Sequence, residues 1–209
     1  MMKRVFFLAL SLSLTALTIV MLQRRVSPPP AAASNGDPIP QPEARLLDKG
    51  ALKLPLVEPR IVVTKSKRLL TLYSGDKVMR VYPVGLGFSP KDDKARQGDG
   101  CTPEGSFYVC VKNDRSNFYL SLGLSYPNKE HAERGLRDRL ITRAQYDEIM
   151  SALRRRARPP WNTRLGGEIF IHGNGSQSDW TWGCVALDND NMKELFDAIP
   201  KGTPVSIEP

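Results

Sequence analysis

The sequence predicts a mostly β domain of the α+β type, placed behind an N-terminal leader. The chain has 209 residues, which suits one domain and a non-globular segment. Hydrophobic residues make up 41% and charged residues 25%, the balance of an ordinary soluble domain. From Arg60 onward, short runs rich in β-branched and aromatic residues alternate with turn residues, and only two segments have convincing helical signals.

The leader begins with Lys3 and Arg4, followed by an apolar run over residues 5–22. A positive start and a long apolar stretch are typical of an export signal. The run is 18 residues long, within the range that can span a bilayer, and Ala31-Ala32-Ala33 is too far downstream for a normal cleavage site. We therefore expect residues 1–25 to form an uncleaved signal anchor, with a cleaved signal as the alternative.

Residues 26–59 are rich in proline, alanine and polar residues, which predicts an extended tether. Fully stretched, it would reach on the order of 100 Å. The expected arrangement is a periplasmic domain over residues 60–208, held at the inner membrane and able to reach material away from it.

Seven runs of the domain have the composition of β-strands. They cover residues 61–65, 69–73, 78–82, 106–112, 118–124, 168–172 and 204–207. Short turn segments separate the first three runs, which predicts an antiparallel meander.

Two helices are predicted. Thr142 and Gln145 form a capping box that opens a helix running to about Ala157. A second helix begins near Asn189 and ends before Pro200. The charged segment 129–134, which contains one of only two histidines, is expected to face solvent. Since no closely spaced ligand cluster is present, no metal site is predicted.

The net charge of +8 is mildly basic. It favours an anionic polymer or membrane surface as partner, although a simply solvated basic surface fits equally. No zinc-finger or helix-turn-helix signature and no aromatic-interleaved basic stripe indicate nucleic acid.

Cys184 and His172 are the candidate catalytic pair. A thiol attacks as thiolate and needs an activating partner, because its free pKa is about 8.5. His172 ends a predicted strand, and a loop rich in glycine, serine and asparagine leads back to Cys184. Gly183 lets the backbone approach a substrate carbonyl, and the N–H groups of Gly183 and Cys184 are predicted to form an oxyanion hole. A buried, unreactive cysteine remains the alternative.

His172-Gly173 followed by Gly183-Cys184-Val185 resembles the signature of the YkuD-type L,D-transpeptidases. Three further segments resemble the family's first hairpin, third strand and following loop, and a fourth is similar to the YafK-like branch. These segments are residues 61–73, 82–87 and 98–105, and Ser125-Tyr126-Pro127-Asn128. The resemblance covers residues 60–208.

The resemblance implies a β-sandwich or barrel with a few helices and an enzyme without a cofactor. It implies that Cys184, with His172 as base, attacks the tetrapeptide stem of peptidoglycan and releases D-alanine. The acyl group then passes to an amine of a second stem, to a wall-linked lipoprotein or to water. The carbonyl of Gly173 is expected to orient the imidazole, and Thr181 occupies the family's hydroxyl position before the Gly-Cys turn.

The sequence departs from the family at two positions near the cysteine. Trp182 stands where histidine is common, and Ala186 stands where arginine or asparagine is common. The departures favour the YafK-like branch, which includes an amidase, so a hydrolase using the same pair with water is the alternative function. Trp180 and Trp182 are candidates for a substrate-binding wall, with packing under the loop as the alternative.

Cys101 and Cys110 raise the question of a disulfide, because the expected compartment is oxidising. If residues 106–110 are extended, Cys110 lies roughly 16 Å along the strand. A bridge then requires residues 101–105 to double back, so the pairing stays open.

Overall fold

The computed structural model describes residues 50–209; the expected anchor over residues 1–25 and most of the expected tether lie outside them. Within the described residues the chain forms one eight-stranded sheet and three α-helices. The strands are β1 (Pro59–Thr64), β2 (Leu69–Ser74), β3 (Lys77–Pro83), β4 (Gly105–Ser116), β5 (Tyr119–Leu124), β6 (Phe170–His172), β7 (Val185–Ala186) and β8 (Pro204–Glu208). The helices are α1 (Lys129–Arg137), α2 (Arg143–Arg154) and α3 (Asn189–Ala198). No helix between residues 50 and 209 is long and apolar enough to cross a membrane.

The first three strands form the predicted antiparallel meander. Alternate side chains on β1, including Ile61 and Val63, are buried in the core. The last strand, β8, lies parallel to β1 and antiparallel to β4, so it joins the meander to the second half of the sheet. The strand order is therefore β3-β2-β1-β8-β4-β5-β6-β7.

The second half of the sheet differs from the sequence prediction at several strands: β4 extends to Ser116, β5 begins at Tyr119, and the next two strands differ more. The strand predicted over residues 168–172 begins only at Phe170, because Glu168 adopts a left-handed backbone conformation with φ of 55°. The two-residue strand β7 was not predicted, since two residues carry no periodic pattern. It lies parallel to β6, which makes the 173–184 segment a crossover connection.

The sheet curls until its two ends meet. Gly85, just after β3, donates its N–H to the carbonyl of Ala186 on β7 at 2.9 Å, and Ala186 donates to the carbonyl of Gly85 at 2.8 Å. The apolar side chains of the strands and of α3 fill the space inside this curl. Of the predicted sandwich and barrel, the barrel describes the fold better.

The helix prediction succeeded at α2 and failed at α1. The capping box of Thr142 and Gln145 is present, although α2 ends at Arg154 rather than near Ala157. The expectation that segment 129–134 faces solvent is wrong, because it forms α1 and buries His131. The ring of His131 contacts Asn128 and Asp93, contacts that a short charged segment does not reveal in sequence.

All three cysteines of the chain are free thiols, so Cys101 and Cys110 are not bridged. Cys101 is buried in the loop before β4. Cys110 lies within β4, with its sulfur 3.4 Å from the carbonyl oxygen of Gly123 on β5. Because β4 is extended from Gly105 onward, it carries Cys110 away from Cys101.

Candidate active site

The two adjacent parallel strands β6 and β7 position the candidate catalytic pair. His172 is the last residue of β6 and is level with Ala186, whereas Cys184 directly precedes β7. Both side chains line one cleft of about 340 Å³. The crossover loop therefore brings Cys184 back beside the strand that carries His172.

Backbone groups near the start of β6 hold the sulfur of Cys184. Phe170 donates its N–H to the sulfur at 3.4 Å, and the thiol donates to the carbonyl of Glu168 at 3.6 Å. No hydrogen bond joins the sulfur to the imidazole of His172 in this structure. The side chain of Cys184 must therefore turn towards the imidazole before a proton can pass between them.

Burial keeps both members of the pair neutral. It raises the pKa of Cys184 to about 11, and although the Phe170 N–H and Lys94 favour the thiolate, the nearby charge of Glu168 disfavours it. Burial also lowers the pKa of His172, against the opposing effect of its hydrogen bond to Gly173. At neutral pH the resting site is therefore a thiol beside an uncharged imidazole.

The carbonyl of Gly173 fixes the tautomer of His172. The Nδ1 atom lies 2.7 Å from this oxygen, and a carbonyl only accepts, so Nδ1 carries the proton. The Nε2 atom is left with a free lone pair, as a general base requires. Gly173 in turn donates its N–H to the carbonyl of Phe118 at 3.0 Å. A Cβ at this position would lie 2.5 Å from Oδ1 of Asn189, so the close packing favours glycine.

The imidazole of His172 packs in a cluster with two aromatic rings that also contact each other, since the centroids of Phe118 and Trp180 lie 5.9 Å apart. The ring centroid of His172 lies 4.8 Å from that of Phe118 and 5.5 Å from that of Trp180, and only 3% of the histidine is exposed. Phe118 lies in the turn between β4 and β5. This role is absent from the sequence prediction, which placed the segment of Phe118 in a strand. Trp180 thus packs against the candidate base while keeping 37% of its surface exposed.

The hydroxyl of Thr181 shapes the turn that carries the nucleophile. It donates to the carbonyl of Cys184 at 2.8 Å and accepts from the N–H of Gly183 at 3.1 Å. Thr181 is only 3% exposed. The side chain of Thr181 therefore lies inside the turn, with its hydroxyl bonded to the backbone on both sides.

Of the two N–H groups predicted to form an oxyanion hole, that of Gly183 already has a partner within the turn. Since the N–H of Gly183 is bonded to Thr181, the N–H of Cys184 is the one of the two predicted donors that lacks a protein partner within residues 50–209. Gly183 has φ of 121°, and a Cβ there would lie 2.5 Å from the carbonyl oxygen of Cys101. Glycine is required at this position by both the turn and the loop behind it.

Trp182 points away from the protein, beside the nucleophile turn. It is 58% exposed and meets the half-exposed ring of Phe88 edge to face, with centroids 4.6 Å apart and planes at 85°. The two tryptophans of this loop therefore differ, since Trp180 contacts the imidazole and Trp182 forms an outer aromatic surface with Phe88.

The cleft also contains charged residues that sequence reasoning missed. Arg115, on β4, and Glu168, just before β6, both line the cleft, and neither belongs to a recognisable motif. Ala186, by contrast, is buried and offers no polar group. Within residues 50–209, no group of three potential ligand side chains lies close enough to hold a metal ion.

Comparisons with known proteins agree with the fold. The family model of the L,D-transpeptidase catalytic domain, YkuD, matches residues 58–207. The chain is similar to the K307A mutant of the helical cell shape determining protein Pgp2 from Campylobacter jejuni, with 22% identity and a TM-score of 0.52, over 73% of this chain and 47% of that one. It also resembles an L,D-transpeptidase from Xylanimonas cellulosilytica, with 16% identity and a TM-score of 0.43, over 77% and 64% of the two chains.

The Pgp2 structure supports the fold alone, and the chain spans about half of its length. No curated protein matches the sequence significantly.

Proposed function

The chain belongs to the YkuD family of L,D-transpeptidase catalytic domains, and from this membership we propose that it is a peptidoglycan L,D-transpeptidase that works through an acyl-enzyme on Cys184. The family's enzymes act on the cell wall, which fits a periplasmic or extracellular location. The observation that carries the proposal is that Cys184 and a correctly protonated His172 line one cleft. No second function has an observation of equal weight.

In the proposed first half-reaction, a peptide stem enters the cleft and the sulfur turns from the backbone of Glu168 towards Nε2 of His172. The thiol proton moves to Nε2 as the sulfur attacks the carbonyl carbon of the third stem residue. The N–H of Cys184 donates to the developing oxyanion. The carbon–nitrogen bond then breaks, Nε2 protonates the departing D-alanine, and a thioester remains.

In the proposed second half-reaction, the amine of another stem attacks the thioester. The carbon–sulfur bond breaks, an amide forms and the sulfur recovers its proton. Water in place of the amine would release the stem as a free acid, which is the hydrolase alternative. A wall-linked lipoprotein with a free amine is a third possible acceptor in the same chemistry.

The neutral resting pair supports this order of events. A thiol with a pKa of about 11 is a poor nucleophile at pH 7, because only about one molecule in ten thousand is ionised. Proton transfer to His172 during attack avoids forming the thiolate in advance. The enzyme is therefore expected to react with bound substrate much faster than with free thiol reagents.

The remaining sequence expectations become part of the proposal. Residues 1–25 serve as an inner-membrane anchor, residues 26–59 as a tether and residues 60–208 as the catalytic domain. Trp182 and Phe88 contact the glycan or peptide outside the cleft, supported by their exposure beside the nucleophile turn. Trp180 and Thr181 position His172 and the Gly183-Cys184 turn.

Mass spectrometry of muropeptides tests the proposal. Purified disaccharide tetrapeptides are incubated with the wild-type protein and with Cys184→Ala. The wild type should release D-alanine and form crosslinks between the third residues of two stems, and the variant should do neither. Tripeptide products without crosslinks would indicate the hydrolase, and unchanged muropeptides would overturn an enzymatic role on this substrate.

A further inference from the structure

Glu168 is held in a costly conformation next to the nucleophile. Its φ of 55° lies in the left-handed region, which glycine and asparagine adopt far more readily than glutamate. Its backbone carbonyl accepts the thiol of Cys184 at 3.6 Å. Strained residues of this kind persist where the surrounding structure enforces them, and they are common at functional sites.

The carboxylate of Glu168 is exposed and lines the cleft that contains Cys184 and His172. It makes no hydrogen bond or ion pair with any residue between 50 and 209. In contrast, Asp93 and Asp99, in the segment between β3 and β4, form ion pairs with Arg134 and Lys94. The negative charge of Glu168 disfavours the thiolate of Cys184. The charge of Glu168 therefore disfavours formation of the thiolate in the first half-reaction.

An unpaired carboxylate that hinders acylation has a use in the other half-reaction. An unpaired carboxylate beside the cleft attracts a protonated amine, and water gains no comparable advantage from it. We propose that Glu168 binds the ammonium group of the acyl acceptor and thereby favours aminolysis of the acyl-enzyme over hydrolysis. This inference rests on the proposed function and assigns one residue to the choice of acceptor.

The step balances as follows. The acceptor enters as a primary ammonium and loses one proton at Glu168, which passes that proton on to solvent. The resulting amine attacks the thioester carbon, the carbon–nitrogen bond forms and the carbon–sulfur bond breaks. The second proton of the nitrogen reaches the sulfur of Cys184 through Nε2 of His172. The products are an amide, a neutral thiol and one proton in solution.

The test compares Glu168→Gln with Glu148→Gln in the full-length protein. Glutamine keeps the size of the side chain and removes its charge, and Glu148 is an exposed glutamate on α2. The donor is a purified disaccharide tetrapeptide, and the acceptor probe is glycinamide, which is largely protonated at pH 7. The measured quantities are the rate of D-alanine release and the ratio of glycinamide adduct to hydrolysed stem.

We expect E168Q to lower the adduct-to-hydrolysis ratio about tenfold, because a single charge-assisted hydrogen bond is lost. The rate of D-alanine release in the first turnover should not fall, because the charge of Glu168 disfavours the thiolate of Cys184. E148Q should match the wild type in both. Raising the salt concentration should lower the ratio for the wild type and leave E168Q unchanged.

An unchanged ratio in E168Q, with normal D-alanine release, would overturn this inference and leave the proposed function standing. The absence of D-alanine release from the wild type would instead overturn the proposed function, and this inference with it. A parallel fall in both quantities would assign Glu168 to the nucleophile and not to the acceptor.

Discussion

Nδ1 of His172 lies 2.7 Å from the carbonyl oxygen of Gly173, the residue that follows it in the chain. This contact uses a backbone atom where many cysteine and serine enzymes use a side-chain carboxylate or amide. Because a carbonyl bears no charge, it sets the tautomer without raising the basicity of the ring as strongly as a carboxylate does. Burial, to which the contacts with Phe118 and Trp180 contribute, lowers the pKa of the imidazole.

Replacing His172 with glutamine should nearly abolish acylation. A glutamine amide can still donate to Gly173, but it cannot accept the thiol proton of Cys184 at neutral pH. We expect the rate of D-alanine release to fall about 10²- to 10⁴-fold, the usual contribution of a general base. Circular dichroism should show an intact fold, and a rate within tenfold of the wild type would contradict the assignment of the base.

The resting thiol should titrate well above the ordinary value. Iodoacetamide reacts with the thiolate, so the alkylation rate of Cys184 should rise with pH towards an apparent pKa of about 11. The Cys101→Ser, Cys110→Ser background leaves Cys184 as the reporting thiol. An apparent pKa below 7 would mean that the thiolate predominates at neutral pH before substrate binds, contrary to the neutral pair.

The Thr181 hydroxyl should matter for the turn. Thr181→Val keeps the shape and leaves the N–H of Gly183 and the carbonyl of Cys184 without their buried partner. We expect the free energy of unfolding to fall by about 1–3 kcal/mol and the release of D-alanine to slow. Thr181→Ser, which keeps the hydroxyl, should retain the wild-type stability and rate. Denaturant unfolding and initial rates measure the two effects. If T181V keeps wild-type stability and loses only substrate affinity, Thr181 contacts the substrate instead.

The outer aromatic surface should recognise substrate beyond the peptide stem. Trp182→Ala is expected to raise KM for disaccharide-linked tetrapeptide about tenfold, and to leave the rate on the free tetrapeptide within about twofold. Because Trp182 is 58% exposed, the free energy of unfolding should change by less than about 0.5 kcal/mol.

Trp180→Ala is the matched comparison, because this side chain contacts the base. It should lower the rate on both substrates, and equal behaviour of the two variants would refute the separate roles of the tryptophans.

The sequence anticipated the parts of the site that depend on short-range chemistry. The His-Gly and Gly-Cys segments each require specific residues within a few positions, so they can be recognised in a single sequence. The meander and the capping box at Thr142 can be recognised for the same reason. The low-propensity backbone of Glu168 and the two-residue strand β7 leave no periodic trace.

Long-range contacts explain the other omissions. Phe118 reaches His172 because β5 pairs with β6, which no local pattern reveals. His131 is buried by its contact with Asp93, 38 positions earlier in the chain. Arg115 enters the cleft only because β4 extends beyond the segment predicted for it.

The central claim is that Cys184 forms a covalent acyl-enzyme, and intact-protein mass spectrometry tests it most directly. The protein is mixed with disaccharide tetrapeptide, quenched in acid within seconds and digested to locate the adduct. The account predicts a mass gain equal to the donor less D-alanine, on Cys184 alone, which is absent from Cys184→Ala and strongly reduced in His172→Gln. Crosslinked or hydrolysed product formed by Cys184→Ala at the wild-type rate, or an adduct on another residue, would contradict it.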